Sequence, residues 1–399
     1  MKRKTIIWIG VLVLLSFIFG FNIKASEARK NEAQFYRQLD KFASLANLVK
    51  QNYVKPVNDK KIFIGAIEGM LSTLDPYSVY LPPAEAKQLN ILTSGKFGGV
   101  GIEITVKNNV VTVVSPIEDS PAWKAGIKAG DEILEINGRS TKGMTVWDVV
   151  KKLRGKKGTK VTIGILHPKT SKIIQIPLIR STIQIKSVKS KILQGNVGYI
   201  RISVFQEDTA PSVKSALENF KTNNVKGLIL DLRNNPGGLL TSAVDVSQLF
   251  LSPKKLIVYT KGRKPQYDNY FFSGKQQLWK GPVVILVNDG SASASEITTA
   301  ALKDNLGNQC MLVGTKTFGK GTVQDVIPIG KHGSELKLTI AYYYTPDGKK
   351  INHIGIEPDI IVKEPKNSKM GNLQNDVQLQ KAYDEVQTMM LTQKVPLRA

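Results

Sequence analysis

The run Val283-Val284-Ile285-Leu286-Val287-Asn288, followed at once by Gly290-Ser291-Ala292-Ser293-Ala294-Ser295-Glu296, constrains this chain more than any other stretch. A short unbroken apolar segment bounded by glycine reads as a buried strand, and the residues after Glu296 take a helical pattern. A strand feeding a small-residue turn and then a helix is a way to present a nucleophile. Unpaired N–H groups at the helix N-terminus stabilise developing negative charge beside it. Three serines alternate with alanine at this junction, so a hydroxyl is the candidate nucleophile.

A serine hydroxyl is inert without a base. The chain has three histidines, His167, His332 and His353, and none lies in a segment that reads as a site. Lys320, by contrast, sits in the glycine-flanked loop Thr317-Phe318-Gly319-Lys320-Gly321-Thr322-Val323-Gln324. A lysine kept neutral by burial can accept a hydroxyl proton, so the pair reads as a Ser/Lys dyad rather than a Ser/His/Asp triad.

Both segments belong to an alternating strand and helix pattern from Ser181 to Pro365, the mark of an α/β core. Val197–Phe205 reads as a strand, Ala210–Phe220 as a helix, and Lys226–Leu232 as a buried strand entering Arg233-Asn234-Asn235-Pro236-Gly237-Gly238, after which Leu239–Phe250 is helical. A strand, glycine turn and helix in this order also holds phosphate, but the Walker spacing with its Lys-Ser/Thr is absent. Leu336–Tyr344 reads as a further strand, and the tail from Lys366 is polar and then helical from Asn375 to Leu391.

Met1-Lys2-Arg3-Lys4 precedes an apolar run from Thr5 to Phe21 and small residues near Ala25-Ser26-Glu27-Ala28, the layout of an export segment, either a cleaved signal or a retained anchor. Phe35, Leu39, Phe42, Leu45, Leu48 and Val49 recur at helical spacing, and a second stripe follows a break at Pro56. The turns at Asp75-Pro76 and Leu81-Pro82-Pro83 close that helical region.

Phe97-Gly98-Gly99-Val100-Gly101-Ile102-Glu103-Ile104 opens a β-rich module running to about Pro168, with strands at Val110–Val114, Glu132–Ile136 and Val161–Leu166 and a helix at Val146–Leu153. Backbone N–H groups of Gly99, Val100 and Gly101 are placed to bind a terminal carboxylate, with the strand from Ile102 accepting a peptide as an added strand. A lone Gly-Gly-Val-Gly is equally a plain turn. Joined to the stretch Ser120 to Gly138, it resembles a PDZ domain.

The serine turn and the Lys320 loop together resemble the active-site signature of the C-terminal processing peptidases, also called tail-specific proteases. Asn-Pro-Gly-Gly at 235–238 and Gly355-Ile356-Glu357-Pro358-Asp359 are similar to further motifs of that family in the same order. The resemblance implies Ser293 as nucleophile, Lys320 as general base, Gln324 positioning the lysine, and an oxyanion hole from Gly237 and Ala294 N–H, with Gly238 the near alternative. It also implies a β-β-α core like that of crotonase and ClpP. Arg154, at the end of the module's helix, reads either as a solvated surface charge or as the contact that reports peptide occupancy to the dyad.

The expected organisation is an export segment at 1–28, an N-terminal helical region at 29–92, a PDZ domain at 93–170, a peptidase core at 181–365 and a tail at 366–399. The expected function is an exported serine endopeptidase, periplasmic or otherwise extracytoplasmic, that takes protein substrates by their C-termini. Self-association through the N- or C-terminal helices fits the apolar stripes. Two rivals are a PDZ scaffold on an inactive fold and a crotonase-like acyl-CoA enzyme. The intact Ser/Lys pair opposes the first, and the peptide-binding module and export segment oppose the second.

The net charge of +24 raises a nucleic-acid partner, but the basic residues are spread along the chain without an aromatic-interleaved cluster, so none is expected. No clusters at ligand spacing call for a metal, and no cofactor is implied. The lone Cys310 excludes an internal disulfide and reads as a small buried hydrophobe.

Overall fold

The computed structural model describes residues 32–107, 109–167, 172–365 and 370–392. The export segment read from the sequence lies outside the described residues. Among the described residues no helix is long and apolar enough to cross a membrane. The chain divides into two units, Met1–Tyr80 and Leu81–Ala399.

In the first unit a helix spans 32–52 and a second spans Asp59–Ser72, so the chain breaks around Pro56 as the sequence suggests. Asn58 caps the second helix by accepting from Lys61 N at 3.1 Å. Lys50 pairs with Asp59 at 2.7 Å, and the rings of Phe42 and Phe63 meet edge to face. Much of the apolar stripe, including Phe35, Leu45 and Leu48, remains exposed.

The second unit begins with the helix Pro83–Ser94. The sequence suggested that Leu81-Pro82-Pro83 closes the helical region, but Pro83 opens a helix instead. Its missing N–H and fixed φ suit a first turn, where no intrahelical partner exists for that N–H. Gly95, at φ +69°, ends the helix, and the strand Lys96–Gly99 pairs antiparallel with Ser181–Gln184.

The β-rich module is an antiparallel sheet in the order Ile102–Lys107, Val110–Pro116, Glu132–Ile136, Lys160–Leu166 and Ile173–Ile179, with Arg139–Ser140 beside Glu132–Ile136. Alternating residues Val111 and Val113, and Val161, Ile163 and Ile165, face one core with Val149 of the helix Val146–Leu153. A reciprocal capping box of Thr145 and Asp148 sets the start of that helix. Ile173–Ile179 escapes the sequence reading because it carries Pro177 and leaves most of its side chains exposed.

The larger core of the second unit is built on a six-stranded sheet in the order Val188–Leu193, Val197–Ile202, Gly227–Asp231, Val283–Val287, Cys310–Gly314 and Ile360–Ile361. Every neighbouring pair is parallel except the first, which is antiparallel. Both faces are covered, which is why these strands read as continuous apolar runs. Leu228, Leu230, Val283, Ile285 and Val287 pack toward the helices Thr209–Thr222, Leu240–Gln248 and Ala294–Leu306. Ile229, Val284 and Leu286 face the opposite way, onto Leu379, Ala382 and Val386 of the helix Val377–Thr392. The segment that looks like a polar tail is thus one layer of the core. Cys310 is buried, and burial pushes its thiol up to about 12. A second sheet runs in the order Thr322–Ile329, Ser334–Tyr344, Leu256–Gly262 and Asn269–Phe272, and brings the Lys320 loop back to the serine turn.

Candidate active site

Strand Val283–Val287 and helix Ala294–Leu306 are joined by a turn in which Ser293 adopts φ +54° and ψ −114°. A non-glycine residue at positive φ is strained, and such strain persists only where surrounding contacts hold it. Here the holding contact is Glu296, which is fully buried and accepts from Ser293 N at 2.8 Å. The same carboxylate accepts from Lys320 N at 2.9 Å, Gly319 N at 2.7 Å and Thr317 Oγ1 at 2.6 Å. Tyr343, buried behind it, lies with its hydroxyl 3.4 Å from Glu296 Oε2 and 3.3 Å from Ser293 O, and donates to Lys320 O. Glu296 stands in the serine motif, yet the sequence alone assigns it no role. Its partners in the Lys320 loop lie 21 to 24 residues downstream, and only folding brings them together.

The three serines separate cleanly. Ser291 is buried, donates to Leu232 O at 2.8 Å and accepts from Asn288 N at 3.0 Å. Ser295 is buried and donates to Asn235 O at 2.9 Å. Ser293 lines a cavity of ≈ 430 Å³ together with Lys320, Gln324, Gly237, Gly238 and Tyr343. The Lys320 loop is fixed from the far side by the Asn352–Ile356 segment. Gly321 N donates to Asn352 Oδ1 at 3.1 Å, His353 N donates to Gly319 O at 2.7 Å, and Ile356 N donates to Thr317 Oγ1 at 2.7 Å. His353 contributes its backbone here while its side chain faces solvent.

Gln324 Nε2 donates to Thr322 Oγ1 at 2.8 Å and Thr339 Oγ1 at 3.2 Å, which locks the amide on the cavity wall. Gly237 approaches Ser293 so closely that a Cβ there would lie 2.8 Å from Ser293 Cβ and 2.9 Å from Ala294 N. Its own N–H donates to Asn235 Oδ1 at 2.9 Å. The N–H groups of Gly238 and Ala294 have no partner among the described residues, as expected of a turn and of the first residue of a helix.

The turn 233–238 is anchored by Arg233, whose guanidinium is fully buried between Asp231 and Asp376, each with a contact of 2.7 Å, and also donates to Gln378 Oε1 at 2.9 Å. Burial opposes its charge, but bonds to Asp376 and Asp231 more than offset this and raise its pKa.

In the β-rich module, Gly99, Val100, Gly101 and Ile102 line a small cavity with Phe97, Val150, Leu153 and Arg154. Strand Ile102–Lys107 is at the sheet edge and so offers backbone groups to an added strand. Arg154 stacks 4.7 Å from the Phe97 ring centroid and donates to Gln88 Oε1 at 3.1 Å. Among the described residues no group of three or more His, Cys, Asp or Glu is placed to hold a metal.

Comparison with known proteins agrees with this arrangement. Residues 196–362 match peptidase family S41, 112–166 match the PDZ domain, and 20–84 match the activating protease CtpB N-terminal domain. The carboxy-terminal-processing protease of Bartonella bacilliformis is 42% identical over 92% of this chain and 84% of its own length. The carboxy-terminal processing protease CtpB of Bacillus subtilis is 40% identical over 85% of this chain and 70% of its own length. A solved structure assigned to the S41 proteases, from Bacteroides fragilis, shares the fold at a TM-score of 0.51 and 17% identity, covering 88% of this chain and 97% of that one. A strained serine turn, a lysine loop tied to it through one buried carboxylate and an adjoining PDZ module, together with these relatives, place the chain in the carboxy-terminal-processing proteases of peptidase family S41, a family of serine-type endopeptidases.

Proposed function

We propose that this protease cleaves peptide bonds with a Ser293/Lys320 dyad and selects its protein substrates by their C-termini. Ser293 Oγ attacks the scissile carbonyl while neutral Lys320 takes its proton, then passes it to the leaving amine. Water hydrolyses the resulting acyl-serine with Lys320 again as base. Gln324 holds the Lys320 amine in line. The oxyanion accepts from Ala294 N–H and from the Gly237–Gly238 turn, where Gly238 has the disengaged N–H and Gly237 keeps the turn against the serine. The Gly99–Ile102 loop takes the terminal carboxylate and the edge strand takes the peptide backbone. The chain acts outside the cytoplasm, carried there by its first 28 residues.

The observation that carries this reading is the shared Glu296 carboxylate, which fixes the backbones of Ser293 and Lys320 to one another at 2.8 and 2.9 Å. The test is digestion of an unfolded protein by the wild type and by Ser293→Ala, Ser291→Ala and Ser295→Ala. Only Ser293→Ala should be without activity; full activity in that variant overturns the assignment.

A further inference from the structure

The cavity that contains Ser293 holds a second lysine, Lys337, on its wall. Strands Thr322–Ile329 and Ser334–Tyr344 pair Gln324 with Thr339 and Val326 with Lys337. Directly paired residues share a face, so Gln324, Val326, Lys337 and Thr339 lie on one side of the ribbon, and Gln324, Val326 and Lys337 line the cleft. The bond of 3.2 Å between Gln324 Nε2 and Thr339 Oγ1 agrees with that placement. Two residues along a strand span ~7 Å, so Lys337 lies about that far beyond the Gln324 contact, roughly two residues of an extended substrate.

Lys337 is half-buried, and its ammonium makes no hydrogen bond or ion pair with any described residue. Burial lowers its pKa, with no acidic neighbour acting against that trend. Glu335, on the same strand face, is turned to Asn90, whose Nδ2 donates to Glu335 Oε1 at 3.5 Å. The remaining wall is largely apolar, with Leu89, Leu92, Leu240, Ile297 and Val326. A cation withdrawn from water without a partner is costly, and an incoming anion is attracted more strongly there than at the surface. The dyad does not need this residue, because Lys320 is already tied to Ser293 through Glu296.

We propose that Lys337 is a specificity-determining residue that receives a substrate carboxylate within the catalytic cleft. This rests on the proteolytic reading of the same site. The carboxylate comes either from an Asp or Glu side chain close to the scissile bond or from a chain terminus lying in the cleft. In both cases the ammonium donates to the carboxylate, and the pair fixes the register of the peptide against Ser293.

The experiment measures kcat/KM on quenched-fluorescence peptides carrying Glu, Gln or Lys at each of the three positions on either side of the cleaved bond. Each peptide is made with a free and an amidated C-terminus. The enzymes are the wild type, Lys337→Met, Lys337→Gln and Lys337→Glu, with Ser293→Ala as the control for the dyad. A charge-assisted hydrogen bond in a partly dry cleft predicts about a tenfold preference for Glu over Gln at one position, or for the free over the amidated terminus. Lys337→Met should abolish that preference while leaving the Gln peptide within about twofold of wild type. Lys337→Glu should favour Lys at that position. Lys337→Gln repeats the comparison should Met disturb packing. A terminus effect that persists in Lys337→Met belongs to the Gly99–Ile102 loop and counts against Lys337. An unchanged Glu preference in the Lys337 variants, or no preference at any position, overturns the proposal while the dyad stands. Cleavage retained by Ser293→Ala overturns the dyad instead.

Discussion

The backbone N–H groups of Ser293 and Lys320 converge on a single oxygen, Oε2 of Glu296, at 2.8 and 2.9 Å. The two groups of the proposed dyad are therefore positioned relative to one another by a side chain that does not touch the cavity. Glu296→Gln keeps the size but replaces one acceptor oxygen with an NH2, which faces donors and leaves at least one buried N–H group unsatisfied, Gly319 N if Oε1 is replaced and both Ser293 N and Lys320 N if Oε2 is. Each costs about 1–3 kcal/mol, so the variant should melt at a lower temperature. A displacement of about 1 Å between nucleophile and base costs roughly 100-fold, so kcat should fall by about that much with KM little changed. Steady-state kinetics with a thermal melt check both parts. A KM effect alone would mean that Glu296 does not set the dyad.

An amine base must be neutral to act, which fixes the sign of the pH dependence. Activity should rise from acid to mildly alkaline pH, against a reference lysine value of about 10.4. Lys320→Arg should be inactive, because a guanidinium remains protonated throughout. The check is a pH–rate profile between about pH 5 and 9; a flat profile would rule out a lysine base.

Much of this was legible in the sequence, for a physical reason. Strand Val283–Val287 is buried on both faces, so it reads as an uninterrupted apolar run, and helix Val146–Leu153 carries its own start signal in Thr145 and Asp148. The lone Lys320 between glycines and the small-residue serine turn are local patterns. What was not legible depends on distant partners. Glu296 looks like an ordinary first-turn acid until the Thr317–Lys320 loop folds onto it. Helix Val377–Thr392 looks polar because only Leu379, Ala382, Val386 and a few neighbours face the sheet. Lys337 looks like one more cation in a basic chain until the strand register points it into the cleft.

The buried pair of Arg233 and Asp376 ties that last helix to the turn carrying Gly237. Burial disfavours the Asp376 carboxylate, yet bonds from Arg233, Leu379 N and Gly371 N prevail and hold its pKa below the ordinary value. A depressed folded-state pKa stabilises the protein above the unfolded-state value of about 3.9 and ceases to do so as pH falls through the lower folded value. Asp376→Asn leaves Arg233 charged and only partly paired, so at pH 7 it should cost about 3–5 kcal/mol. Its stability should also fall less steeply than wild type below about pH 4. Denaturant melts at pH 7, 4 and 3 measure both effects. Parallel loss of stability in the two proteins on acidification would show that Asp376 does not drive it.

Tail recognition makes the remaining prediction, and Arg154 gives it a structural handle. Its guanidinium lies over Phe97 at 4.7 Å, borders the cavity lined by Gly99 to Ile102, and donates to Gln88 on helix Pro83–Ser94. Leu89 and Leu92 of that same helix line the cavity of Ser293. Arg154 is therefore no freely solvated surface charge; burial lowers its pKa while it bridges the module and the helix. Amidating a substrate's C-terminus removes the charge that the Gly99–Ile102 loop would bind, and kcat/KM should drop by about tenfold. Arg154→Ala should lower cleavage of the free-terminus substrate while leaving Ser293 reactive toward a small fluorophosphonate probe. The comparison pairs free and amidated substrates with wild type and Arg154→Ala. Equal rates on both substrates by the wild type would refute recognition of the tail, even with Ser293 proved to be the nucleophile.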